Sequence, residues 1–87
     1  MSDQPKIVIY GNESCAYCAA ARMFFTKKGL RFDDITISGD NERREEMERL
    51  SGSRSVPQIF VNNHLVGGFE ELCALDEDGD LERLLGH

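Results

Sequence analysis

The chain has 87 residues, 40% of them hydrophobic and 30% charged, with a formal net charge of −6. That length is one domain and buries about 60–65% of its unfolded surface, enough for a core with little margin. The acidic balance argues against a nucleic-acid partner, which needs a basic face, and no apolar run approaches the ~20 residues of a membrane span.

The opening residues, MSDQPK, have neither the basic start nor the apolar centre of a signal peptide, so a cytoplasmic, reducing setting is expected. The run Ile7 to Tyr10 (IVIY) is short, apolar and β-branched, and predicts a buried strand broken by Gly11-Asn12. Ser14 is the expected N-cap of a helix from Cys15 to Lys28, which carries three successive alanines. Cys18, Ala21, Phe24 and Phe25 fall at helical spacing as one apolar face, and Gly29 is the expected stop. Leu30 to Ile37 alternates apolar and polar residues, which predicts a second strand. Strand, helix and strand make a βαβ unit with parallel strands and a right-handed crossover.

Asp40 or Asn41 is expected to cap a charged helix running to Leu50, with Met47 and Leu50 turned inward and Glu/Arg pairs on a solvated face. Ser51-Gly52-Ser53 ends it. Val56 to Val61 reads as a third strand with Pro57 near its start. Asn62-Asn63 is a tight turn, and His64 to Val66 a fourth strand. After Gly67-Gly68 the chain reads as helical from Glu70 to Leu85, interrupted near Gly79. The whole is an α/β sandwich of about four strands, with helices on both faces.

Of the three cysteines, Cys15 and Cys18 form a C-x-x-C pair and Cys73 stands apart. A C-x-x-C pair binds metal, forms a structural disulfide or runs redox chemistry. Structural zinc needs four ligands, and Cys73, His64 and His87 supply no second ligand pair. Next to a βαβ pattern the pair reads as a thioredoxin-like redox motif. At the head of a helix Cys15 meets free N–H groups and the positive end of the macrodipole, both of which favour the nucleophilic thiolate. Cys18, one turn on and more buried, is placed to resolve the mixed disulfide that Cys15 forms. A cis bond before Pro57 is the minority geometry for X-Pro peptides, but it would turn the Val56 backbone outward toward an extended thiol peptide. Cys73 reads as a small buried hydrophobe, His64 as a surface residue of the hairpin, and terminal His87 carries no signal.

Three motifs in order, Cys15-Ala16-Tyr17-Cys18, Ser55-Val56-Pro57 and Gly67-Gly68-Phe69-Glu70-Glu71, resemble the glutaredoxins, above all the small bacterial dithiol members, over nearly the whole chain. The resemblance implies a thioredoxin-like α/β fold: a four-stranded mixed sheet in the order β-α-β-α-β-β-α, flanked by three or more helices. It also implies glutathione as reductant. Carried over by position, Cys15 is the nucleophile, Cys18 the resolving thiol, and Tyr17 flanks the bound tripeptide. Val56, before a cis Pro57, pairs with its cysteinyl part, with Ser55 beside it. Gly68, Phe69, Glu70 and Glu71 hold the γ-glutamyl end at a helix N-terminus. The alternative role for the two glutamates is to complement the helix dipole.

Three positions depart from the family pattern. Ala16 replaces the usual proline, Glu71 the usual aspartate, and Asn12 stands where a lysine commonly binds the glycine carboxylate of glutathione. Arg54 is the first candidate to replace that charge, followed by Arg22 and Arg49. The expected function is glutathione-dependent thiol–disulfide exchange by a monomer. Its partners would be disulfide-containing proteins, reduced with both cysteines, and glutathionylated proteins, reduced with Cys15 alone. Two alternatives are a dimer holding a [2Fe–2S] cluster through Cys15 and glutathione, and a protein reduced by thioredoxin reductase.

Overall fold

The computed structural model describes residues 4–86; the first half of MSDQPK and His87 lie outside them. Eight elements follow one another: β1 (Ile7–Gly11), α1 (Ala16–Lys27), β2 (Asp33–Thr36), α2 (Asn41–Ser51), β3 (Gln58–Val61), β4 (His64–Gly67), α3 (Phe69–Asp78) and α4 (Asp80–Leu85). The sheet order is β2-β1-β3-β4. β1 and β2 are parallel, and the β1–β3 and β3–β4 pairs are antiparallel. This is the mixed four-stranded sheet expected.

Strand alternation sorts the core into two layers. Ile7 and Ile9 of β1 and Ile59 and Val61 of β3 face Ala21 and Phe25 of α1, Leu72 of α3, and Leu81 and Leu85 of α4. Tyr10 faces the other way, toward Ile37 and Met47 of α2, with Val8, Ile35, Val56 and Phe60 packed around them. Central β1 is covered on both sides, which is why its sequence is an unbroken apolar run.

The Asn62-Asn63 turn has φ of 49° and 69°, the left-handed pair that joins two strands without splaying them. Gly79, at φ 80°, breaks the last helical stretch where the sequence predicted. Among the described residues no helix is long and apolar enough to cross a membrane.

Four expectations are corrected. Ser14 is not the N-cap of α1; Cys15 is, in an extended conformation with its sulfur accepting the Cys18 N–H. The second strand is shorter than Leu30 to Ile37, since the Leu30 N–H turns back to the Phe25 carbonyl that closes α1. Leu30 and Phe32 still pack on the core, so their alternation reports burial and not strand pairing. The third strand begins at Gln58, because Val56 and Pro57 are diverted to the site. Leu50 is 52% exposed while Met47 is fully buried, for the helix packs on the sheet through Met47 and Leu50 borders an open cavity beside Val8, Phe60 and Leu65.

Candidate active site

Gly11 ends β1 against the sheet, and a short turn delivers Cys15 to the start of α1. Cys15 takes the N-cap position, with φ −87° and ψ 120°. Its Sγ accepts the Cys18 N–H at 3.3 Å and lies 4.0 Å from the Val56 carbonyl. Cys15 is therefore the cap of its own helix, a position where serine, threonine or aspartate is usual. A sulfur that accepts amide hydrogens there holds negative charge well.

Burial pushes the Cys15 thiol up, but hydrogen bonds from the Cys18 side chain and from the Cys18 and Tyr17 amides outweigh it, with help from the Arg22 charge. The net effect is a thiol held below its ordinary value. Cys18 goes the other way. Its burial, and the hydrogen bond it gives Cys15, push it up to about 11. Cys15 is half-buried and Cys18 is fully buried; all three cysteines are free. A half-buried thiol held low in front and a fully buried thiol held high behind is the asymmetry that a two-step exchange needs.

A cavity of about 350 Å³ opens beside this pair. Of the expected site residues, Tyr17, Ser55, Val56, Pro57, Gly68, Phe69, Glu70 and Glu71 line it. Three walls meet there: the first turn of α1, the segment before β3, and the N-terminus of α3. The Val56–Pro57 bond is cis. The rings of Tyr17 and Phe69 approach to 6.4 Å between centroids, which brings the first turn of α1 beside the start of α3 at the cavity. Glu71 sends Oε1 back to accept the Gly68 N–H at 2.7 Å. Gly68 has no side chain to return the bond, so only half of a capping box forms. One Glu71 oxygen is thus committed to starting α3, while Glu70 is exposed.

Arg54 is not brought to the cavity. It is 86% exposed, and its Nε pairs with Glu48 at 2.9 Å. The partner lies back across the Gly52 turn, beyond the reach of helical spacing rules. Arg22 sits closer to the cysteines. Its Nη2 donates to the Asn12 carbonyl at 3.0 Å, and its Nε lies 3.0 Å from Asp34 Oδ2 in an ion pair without an aligned hydrogen bond.

Sequence reasoning did not assign three lining residues to the site: Ser53, Gln58 and Gly67. Gln58 is only 5% exposed and donates from Nε2 to the Ser55 carbonyl at 2.9 Å and to the Ser55 hydroxyl at 3.2 Å. It holds the wall that carries Val56. A polar residue in an otherwise apolar strand was the available signal. Among the described residues, no three of His, Cys, Asp and Glu gather as a metal site.

The family model for glutaredoxin matches residues 7–66, which spans both cysteines, the cis proline and most of the sheet. The chain belongs to the glutaredoxin family. It is 42% identical over 79 residues to glutaredoxin 3 of Escherichia coli, covering 91% of this chain and 95% of that protein. It is also 42% identical over 86 residues to a probable glutaredoxin of Synechocystis, covering 98% of each. The solution structure of a glutaredoxin from Brucella melitensis superposes with a TM-score of 0.81 at 38% identity, over 97% of this chain and 91% of that one. A buckwheat glutaredoxin in complex with glutathione shares the fold, with a TM-score of 0.82 at 23% identity over 91% of this chain and 74% of that one. This glutaredoxin is accordingly a thiol–disulfide oxidoreductase, and the relatives favour that activity over a cluster-holding dimer.

Proposed function

We propose that this glutaredoxin works as a monomer in a reducing, cytoplasmic setting, with glutathione as its electron donor. Cys15 is the nucleophile and Cys18 the resolving thiol. The observation that carries the reading is Cys15 as N-cap, its sulfur accepting the Cys18 amide beside the cavity, with Cys18 fully buried behind it.

The Cys15 thiolate attacks one sulfur of a substrate disulfide, forming a mixed disulfide and expelling a thiolate that takes a proton from water. With a glutathionylated protein the glutathione sulfur is attacked, the protein thiol leaves, and a second glutathione then frees Cys15 as glutathione disulfide. With a protein disulfide, Cys18 attacks Cys15 instead. The substrate leaves with both sulfurs reduced and the pair is oxidised; two glutathiones restore it.

The cavity suits the tripeptide. Backbone groups of Val56 would pair with its cysteinyl part, and Tyr17 and Ser55 would flank it. The α3 N-terminus at Gly68 and Phe69 would take the γ-glutamyl carboxylate. Exposed Glu70, with the free oxygen of Glu71, would take the ammonium. Arg54, paired with Glu48 outside the cavity, contributes only long-range charge.

No observation favours a [2Fe–2S] cluster on Cys15; visible absorbance after anaerobic purification with glutathione decides it. The test of the main reading is a pair of variants. Cys18→Ser keeps reduction of glutathione mixed disulfides and loses most protein-disulfide reduction, while Cys15→Ser loses both. Turnover must run with glutathione and glutathione reductase. Turnover driven by thioredoxin reductase alone would overturn the glutathione assignment.

A further inference from the structure

The reading above leaves one step without a helper. Cys18 must lose its proton before it attacks Cys15, and it sits in the core with 0% exposure. Burial holds its proton on, up to about 11. Water cannot solvate the anion there, so a fixed charge or dipole must.

One point beside Gly11, where a Cβ would lie, is 2.7 Å from the Cys18 Sγ and 3.6 Å from the Arg22 Nη2. The guanidinium and the buried sulfur therefore border the same small space. Arg22 is held there at both ends of its planar group, by the Asn12 carbonyl on Nη2 and by the Asp34 carboxylate on Nε. It is 22% exposed on its side chain, against 40% for Asp34, so the cation reaches inward and the anion lies on the solvent side. A charge at this depth is poorly screened.

We infer that Arg22 is a positioning residue for the second half of dithiol exchange: its guanidinium stabilises the Cys18 thiolate as that sulfur attacks Cys15. In this step the Cys18 proton ends on the departing substrate thiolate, the Cys15–Cys18 bond forms, and the bond from Cys15 to substrate breaks. The substrate is reduced and the cysteine pair oxidised. Cys15, whose sulfur accepts the Cys18 amide at the head of α1, has hydrogen bonds to draw on beside the Arg22 charge. The proposal rests on Cys18 being the resolving thiol. If Cys18→Ser retains protein-disulfide reduction, that assignment fails, whatever Arg22 does.

The test compares protein-disulfide turnover with turnover of a glutathionylated substrate in Arg22→Gln, Arg22→Lys and Asp34→Asn. Without the charge, a roughly tenfold smaller thiolate fraction is offset in part by greater nucleophilicity, which leaves a net loss of about threefold. The ratio of the two turnovers therefore falls about threefold or more in Arg22→Gln, and Arg22→Lys restores most of it. Asp34→Asn breaks the ion pair but keeps the cation beside Cys18, so the ratio does not fall. An equal loss of both turnovers in Arg22→Gln overturns the proposal. So does a ratio that falls in Asp34→Asn, which would mean that the Arg22–Asp34 tie matters only as a clamp on α1. If Arg22→Gln does not fold, the lysine and asparagine variants still decide between charge and clamp.

Discussion

Gly11 has no side chain because none fits. A Cβ there would stand 2.7 Å from the Cys18 Sγ and 3.1 Å from the Cys18 Cβ, and a short side chain anchored in α1 cannot swing away from it. Gly11→Ala is expected to destabilise the fold by ~1–3 kcal/mol, the usual cost of overpacking, and to displace the Cys18 sulfur. Thermal unfolding measures the first effect and protein-disulfide turnover the second; an unchanged melting temperature would refute the close approach. Residue identities were legible in the sequence where backbone chemistry dictates them. The cysteine pair, Pro57 and Gly68 all stand where they were expected. Residues that act through tertiary contacts were not. Arg54 adjoins the site in sequence yet pairs with Glu48, and Gln58 holds the Ser55–Val56 wall through bonds that no spacing rule announces. Ser14 gave way to Cys15 because a thiol at the right dihedrals also accepts an amide hydrogen.

The elements were readable from periodicity, and their limits were less so. β2 loses its first three expected residues to the close of α1, and β3 its first two to the cavity wall. Cys15, at φ −87° and ψ 120°, already has the conformation that a residue before proline adopts, and the Ala16 amide is one of the unpaired first-turn donors. Ala16→Pro is therefore expected to stabilise by ~0.4–1 kcal/mol, raising the melting temperature by roughly 2–8 °C without loss of turnover. A lower melting temperature would show that the turn needs the alanine. α2 is tied to the sheet by a different device, the Tyr10 hydroxyl donating to the Glu46 carboxylate. Burial and this bond push Tyr10 up to about 12, while the same bond, against some burial and with Arg43 assisting, holds Glu46 below its ordinary 4.5. A lowered carboxylate stabilises above its unfolded value, and that contribution is lost as pH falls through its folded one. A raised phenol stabilises below 10.0, and its contribution fades as pH climbs toward about 12. The melting-temperature gap between wild type and Tyr10→Phe should thus be open at neutral pH and narrow below about 4.5. A gap constant across that range would mean that the tie adds nothing.

At the scale of the molecule, the net charge of −6 opposes glutathione, which carries one more carboxylate than ammonium. The protein spans 35 × 27 × 21 Å, so at about 10 mM salt, with a Debye length of ~30 Å, the approaching tripeptide senses the whole surface. At about 150 mM salt, with a Debye length of ~8 Å, it senses only the cavity mouth. Added salt over that range is expected to raise kcat/KM for glutathione; a fall would reveal a local cation that dominates the approach. The full burial of Cys18 has one further consequence. Because the second sulfur is held within the molecule, closure of the Cys15–Cys18 bond has a rate independent of how much glutathione surrounds the protein. Release by external glutathione slows in proportion as that pool is depleted. On the proposed mechanism the two exits from one intermediate therefore behave as a gauge of the thiol supply: abundant glutathione favours the single-sulfur route, and scarcity hands the intermediate to the internal one.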